Sequence, residues 1–323
     1  MTTHSPSRTL LATTLALSLS GCALMQNTKV EPRPPGRTPV LWMDPAPVAT
    51  RDLFWGPGSS ERAPRPPFAF LEEDTGGTQP KVIVRDAAGR EWTAKFGEEV
   101  HSGIAANRLV WALGYAADEL YFVTDGVIAG VTALERGREF IGAGGVFTNA
   151  SFRLRDARAP RADERWTFEH NPFVRSKELS GLAVLMTMLA NWDIQGTRNN
   201  RILEDGARDL YIVSDLGATF GRMGTFPMPR SKWDIEDFGK EGVIDGVGEG
   251  VVDLDYDGYG GIGNVPLEHA RWFAALAAQL TDHQLREGFR AAGASQAEIH
   301  AFAARMRARI DELVGATGAA GTY

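Results

Sequence analysis

The feature that most constrains this chain is a pair of aspartates that each follow an apolar element. Asp193 comes after an apolar run with helical spacing, residues 176–190. Asp215 follows an apolar strand candidate, residues 210–213, and lies two positions before Gly217. We interpret both carboxylates as candidates for one polar site. The alternative is loop chemistry, because aspartate favours turns by bonding to its own backbone.

Other residues supply the cation and the oxygen ligands that phosphoryl transfer needs. That reaction uses a cation on the phosphates, oxygen ligands for a divalent metal and a carboxylate near the acceptor hydroxyl. Lys95 lies in a strand candidate and would contact the phosphates, unless it is a surface strand lysine. Asp193 is predicted to act as the catalytic base or to orient the acceptor. Asp215, with Asn199 or Asn200, is predicted to bind the metal through oxygen.

Periodicity and turn residues predict a β-rich segment around this lysine. Strand candidates occur at 68–71, 81–85, 91–96, 120–123 and 127–131, with a helix candidate at 102–113. The last two strands flank a Thr-Asp-Gly turn. Gly76, Gly77 and Thr78 follow the first strand and are the candidates for further nucleotide contacts. The chain closes with helix candidates near 266–280, 282–292 and 295–314, the last two capped by Thr281 and Ser295.

The element order and the two aspartates resemble the atypical kinase-like superfamily that includes HipA-type kinases and phosphatidylinositol kinases, over about residues 68–221. The resemblance implies an α+β, two-lobed protein-kinase-like fold. Residues 68–137 would form a small antiparallel β-sheet lobe with one helix, and residues 138–317 a mainly helical lobe. It also implies ATP and Mg²⁺ as cofactors, with Lys95, Asp193 and Asp215 in the roles given above.

Three groups of charged residues near these positions bear on the predicted site. The helix after Lys95 has no acidic partner for it within its body, which leaves Glu98 and Glu99 at the helix entrance. Arg198 stands five positions after Asp193, where the superfamily has asparagine. Five arginines alternate with acidic residues, which favours a solvated loop over an anion-binding patch; they are Arg153, Arg155, Arg158, Arg161 and Arg165.

The N-terminus predicts export and a lipid anchor. Residues 1–22 combine a basic start, a short apolar stretch and Leu19-Ser20-Gly21-Cys22, the pattern of a bacterial lipoprotein signal peptide. Cys22, the single cysteine, would carry the lipid. The alternative is an ordinary secretory signal. Residues 23–67 are proline-rich and predict an extended tether. The expected location is the cell envelope, on the outer membrane facing the periplasm.

Composition and the remaining motifs argue against some classes of function and leave three hypotheses. A net charge of −7 argues against a nucleic-acid surface. A calcium loop at Asp253, Asp255 and Asp257 is disfavoured, because its twelfth position is Asn264 rather than glutamate. The leading hypothesis is a lipid-anchored protein that binds Mg-nucleotide and transfers phosphate. The alternatives are a catalytically inactive, pseudokinase-like scaffold and a calcium-dependent envelope-binding module. No protein partner is indicated.

Overall fold

The computed structural model describes residues 28–29, 36–194, 200–224 and 229–319. Within these ranges the strands are β1 (Thr28–Lys29), β2 (Thr38–Val40), β3 (Phe68–Glu73), β4 (Lys81–Arg85), β5 (Glu91–Lys95), β6 (Leu120–Ala129), β7 (Val146–Leu154), β8 (His170–Asn171), β9 (Asn200–Asp205), β10 (Arg208–Val213), β11 (Ile244–Gly248), β12 (Val251–Leu254) and β13 (Val265–Pro266). The helices are α1 (Glu99–Ala112), α2 (Lys177–Met188), α3 (Ile235–Phe238), α4 (Leu267–Ala277), α5 (Asp282–Ala291) and α6 (Gln296–Thr317).

Five strands close into a barrel in the order β3-β4-β5-β7-β6. The pairings are antiparallel except for β3 with β6, which run parallel and complete the closure. Aromatic side chains fill the interior, and Phe68, Trp92 and Phe152 are almost fully buried there. Alternation along each strand puts these residues on the inner face, so the barrel has its own apolar core.

The second core lies among the helices. α2 packs against α4 and α6, and α1 packs against α5. Thr281 and Ser295 form capping boxes at the starts of α5 and α6, so both predicted caps are confirmed. The predicted α+β, two-lobed organisation is confirmed: a β-rich lobe carries one helix, α1, and a mainly helical lobe follows it.

The structure differs from the sequence prediction at one turn and at one lobe boundary. The turn predicted at residues 124–126 does not form, because β6 runs unbroken and Asp125 pairs with Thr148 in the ladder to β7. The boundary predicted between residues 137 and 138 also moves. β7 lies beyond it in the chain but pairs with both β5 and β6, so the barrel ends at Leu154.

Much of the predicted tether is packed against the folded body. β2 pairs in parallel with β10, and Leu41, Val48 and Leu53 are buried in the main core. The Gln284 side chain donates hydrogen bonds to the carbonyls of Val48 and Arg51. From residue 36 onward, the described part of this segment is therefore packed against the folded body and is not an extended tether. Cys22 and the signal-peptide prediction lie outside the described residues. In the described ranges, every helix is too short or too polar to span a bilayer.

Candidate functional site

The candidate site is a cavity of about 650 Å³ lined by residues of the barrel and of the segments after it. Lys95 comes from β5, and Asp215 follows β10. Asp193 lies in the loop after α2 and lines the same cavity. The glycine segment, Gly76 to Thr78, lines it as well. Separate stretches of the chain thus bring a lysine, two aspartates and a glycine-rich loop to one space.

An ion-pair network is centred on the lysine. The Lys95 Nζ lies 2.7 Å from the Glu99 carboxylate and 3.3 Å from that of Asp215. Burial alone would lower the pKa of Lys95, but the charges of Asp215 and Glu99 outweigh it and raise that pKa. Burial alone would raise the pKa of Asp215, but Lys95 and the backbone N–H of Gly217 outweigh it and lower that pKa. Both groups are therefore held in their charged forms.

Glu99 is the acidic partner that the sequence left open between two positions. Gly97, at a φ of +94°, turns the chain between β5 and α1, so that Glu99 starts the helix four residues after Lys95. The Glu99 side chain is 10% exposed, whereas that of Glu98 is 81% exposed. Lys232 donates a 2.9 Å hydrogen bond to Glu99, which therefore joins two cations.

The loop after β10 holds Asp215 close to α1. The Ser102 hydroxyl donates a 2.7 Å hydrogen bond to the Gly217 carbonyl. A Cβ on residue 217 would lie 2.5 Å from the Cβ of Glu99, so only glycine allows the loop to approach the helix this closely. The approach brings the Asp215 carboxylate within reach of Lys95.

Asp193 lies next to a tyrosine pair from the acidic segment. Its backbone forms a β-bridge with Tyr259, and its N–H donates to the side-chain oxygen of Asn191 at 3.2 Å. Burial, and then the charge of Asp193, raises the pKa of Tyr256. The Tyr256 hydroxyl donates to the carbonyls of Asn191 and Tyr259, which fixes this side of the loop.

One of the two predicted asparagine ligands is buried at the start of β9. The Asn200 side chain is fully buried, and neither its amide nitrogen nor its oxygen has a hydrogen-bond partner in the described structure. Asn200 pairs across the strands with Val213, two residues before Asp215. Asn199 lies outside the described residues.

The donor set suits a hard divalent cation. Mg²⁺ and Mn²⁺ prefer carboxylate and amide oxygens, and a buried amide without a partner carries an unfavourable free energy that a ligand would relieve. Within the described ranges, no three His, Cys, Asp or Glu residues form a metal-binding group. A cation held by Asp215 and Asn200 would therefore complete its coordination with ligand oxygens or water.

The glycine segment is fixed by an arginine. Arg136 donates hydrogen bonds to the carbonyls of Thr75 at 2.8 Å, Gly77 at 2.6 Å and Thr78. Gly77 has a φ of +70°, which favours glycine. These hydrogen bonds therefore hold the segment in one conformation along the edge of the cavity.

The acidic segment at residues 253–257 is engaged in the fold. Asp253 lies in β12, where its neighbours alternate between faces. The Asp255 carboxylate accepts a 3.0 Å hydrogen bond from the N–H of Gly242. Asp253 therefore belongs to the central strand of a three-stranded sheet, and Asp255 to the loop after it.

Sequence reasoning missed two groups of cations, one that contacts a cavity-lining residue and one that lines the cavity itself. Lys232, whose ion pair with Glu99 spans 133 positions, gives no local pattern. The predicted solvated loop was wrong for Arg153 and Arg161, which are partly buried and line the cavity together with Arg201. Arg165 is exposed and also lines the cavity. Arg155 and Arg158 are exposed and do not line it, as the loop prediction expected.

Comparisons with known proteins find only distant likenesses. No protein-family profile matches the chain, and no curated protein matches it. Among solved structures, the Golgi casein kinase is 12% identical with a TM-score of 0.39. The Golgi casein kinase with Mn/ADP bound is 13% identical with a TM-score of 0.41. Each comparison covers 80% of this chain and 75% of the other. The narrower resemblance to HipA-type kinases stays a prediction.

Proposed function

We propose that the cavity binds a nucleoside triphosphate together with a divalent cation, and that the protein is a lipid-anchored, kinase-like protein of the cell envelope. The observation that carries the proposal is the position of the Lys95 ammonium between two carboxylates, 2.7 Å from Glu99 and 3.3 Å from Asp215. A cation held in place beside a candidate metal ligand is what polyphosphate binding requires.

Each residue has a defined role in this proposal. Lys95 binds phosphate oxygens, while Glu99 keeps its ammonium charged and oriented. Asp215 and Asn200 would hold the cation, which would supply positive charge to neutralise the phosphate groups. Asp193 lies on the same cavity and accepts the proton of an acceptor hydroxyl. Gly76, Gly77 and Thr78 approach the ligand with backbone groups.

A thermal-shift titration tests nucleotide binding. Mg-ATP at about 100 times its dissociation constant stabilises the native state by about 2.7 kcal/mol. The melting temperature of the wild type should therefore rise with Mg-ATP, and that of Asp215→Ala should stay constant. Asp125→Ala is the matched control, because Asp125 is an exposed β6 carboxylate that does not line the cavity. If Mg-ATP does not change the melting temperature of the wild type, the proposal that the cavity binds a nucleotide is wrong.

Transfer of labelled phosphate separates catalysis from binding alone. With γ-labelled ATP, the wild type should label an acceptor or itself, or release labelled phosphate. Asp193→Asn should lose this activity while it keeps the thermal shift. If the wild type binds ATP but transfers no phosphate, the result would support the alternative of a catalytically inactive, pseudokinase-like scaffold.

The lipid anchor is tested separately. Cells grown with labelled palmitate should label the full-length wild type and not Cys22→Ser, and the wild type should fractionate with the outer membrane. A soluble, unlabelled wild type would instead support the secretory-signal alternative.

A further inference from the structure

Four arginines line one part of the cavity. Arg153 lies on β7 and Arg201 on β9, while Arg161 and Arg165 lie in the segment between β7 and β8. Arg161 forms a β-bridge with Leu203, so this segment runs beside β9. Strand pairing therefore brings together guanidinium groups that are up to 48 positions apart in the sequence.

The cluster has too few anionic partners for its charge. Arg161 binds both oxygens of Asp118, at 2.6 and 2.7 Å. Among the described residues this is the one ion pair that the four arginines form. Arg153 donates to the hydroxyl of Thr93, and Arg201 to the carbonyl of Asn200. Three of the four guanidinium groups are therefore without an ion pair in the described structure.

The arginines also act on one another. Burial, and then the charge of Arg161, lowers the pKa of Arg153 to about 10. Burial, and then the charges of Arg165 and Arg161, lowers the pKa of Arg201 to about 10. The Nε of Arg161 is buried and has no hydrogen-bond partner in the described structure. The cluster is thus a set of guanidinium groups that repel one another at the wall of the cavity. It also contains a buried donor, the Nε of Arg161, that a ligand could use.

We propose that this arginine cluster binds a phosphate group of a small-molecule ligand. A phosphate monoester carries a charge of about −1.5 to −2 and three acceptor oxygens, so it neutralises the cluster better than a carboxylate does. Guanidinium groups match phosphate oxygens in bidentate geometry. The assignment concerns Arg153, Arg161, Arg165 and Arg201, and it does not require that Lys95 binds a nucleotide.

The position of the cluster makes it part of the same cleft as the Lys95 network. The guanidinium of Arg161 reaches the hydroxyl of Ser214 at 3.3 Å, directly before Asp215 in the chain. The charge of Asp215 also acts on Arg201. A ligand that fills the cleft therefore carries anionic groups at two places, one near Lys95 and one at the arginines.

Isothermal titration calorimetry with inorganic phosphate tests the cluster on the full chain. The test variant is Arg165→Gln with Arg201→Gln, since neither residue forms an ion pair in the described structure. We expect about tenfold weaker phosphate binding or more, because each charge-assisted hydrogen bond to phosphate contributes at least that factor. The control is Arg158→Gln with Arg286→Gln, which removes two exposed arginines outside the cavity and should bind phosphate as the wild type does.

Further arms separate this site from the nucleotide site and phosphate from carboxylate. Lys95→Met should lose the Mg-ATP shift and keep phosphate binding. In phosphate-free buffer, the test variant should melt at or above the wild-type temperature, because repulsion is removed. The assignment is overturned by unchanged phosphate affinity in the test variant, by no phosphate binding in the wild type, or by phosphate binding that Lys95→Met abolishes. Malonate binding as tightly as phosphate would overturn the choice of phosphate.

Discussion

The carboxylate of Glu99, the first residue of α1, lies 2.7 Å from the ammonium of Lys95, the last residue of β5. This ion pair links the barrel to its helix across a junction of three residues. Because Glu99 also accepts a hydrogen bond from Lys232, the same carboxylate fixes a cation from a distant segment.

Replacement of Glu99 should destabilise the protein. Glu99→Gln leaves Lys95 and Lys232 without their shared anion, and we expect a loss of about 2 kcal/mol in the free energy of unfolding. Glu98→Gln is the matched control, because the Glu98 side chain is 81% exposed and its change should stay within about 0.5 kcal/mol. Urea denaturation measures both. Equal effects in the two variants would contradict the central position of Glu99.

The Lys95–Asp215 pair should give stability a defined pH dependence. The pKa of Asp215 is lowered from its usual value of 3.8, so its contribution exists above that pH and is lost as the pH falls through the lowered pKa. The pKa of Lys95 is raised from 10.5, so its contribution exists below that pH and is lost as the pH rises through the raised pKa.

The difference in unfolding free energy between wild type and Asp215→Asn follows from these signs. It should be constant from about pH 5 to pH 9 and shrink in more acidic solution. Its size should be about 1 kcal/mol or less, because the Asp215 side chain is 45% exposed and solvent screens the pair. Urea denaturation series at several pH values provide the measurement. A difference that does not shrink as the pH falls below the usual aspartate pKa of 3.8 would contradict the pairing.

Replacement of Asn200 should separate stability from metal binding. Asn200→Leu removes a buried amide that has no partner in the described structure, so the free energy of unfolding in EDTA should change by less than about 1 kcal/mol or rise. The same variant should lose the thermal shift with Mg-ATP, because the amide oxygen is a proposed ligand. A variant that keeps the full shift would remove Asn200 from the metal site.

A buried arginine should be essential for the helical lobe. Arg309 is fully buried and donates to the carbonyls of Thr187 and Met188 at the end of α2, and to those of Phe238 and Glu241. Arg309→Met leaves these carbonyls without donors and should cost about 3 kcal/mol.

The control for this prediction is Arg286→Met on the exposed face of α5, which should change stability by less than about 0.5 kcal/mol. Melting temperatures of both variants decide the outcome. If Arg309→Met melts with the wild type, the carbonyls are satisfied by water and the structural role is wrong.

Local patterns predicted many of the elements around the site. The strand at 81–85 has the predicted bounds, and the run at 176–190 contains α2, because apolar periodicity reflects the face that each element buries. β7 was missed, since Thr148, Asn149 and Arg153 interrupt its apolar residues. Its pairing with β5 and β6 compensates for this weak alternation.

The sequence by itself determined several of the strands and helices, and the placement of Asp193 and Asp215 after apolar elements, because these depend on residues that are neighbours in the chain. Only the tertiary structure decided that Glu99 joins Lys95 to Lys232, and that arginines from two segments face one cavity. Such contacts arise from strand pairing and helix packing between distant positions, and the ion pairs that result leave no trace in any local pattern.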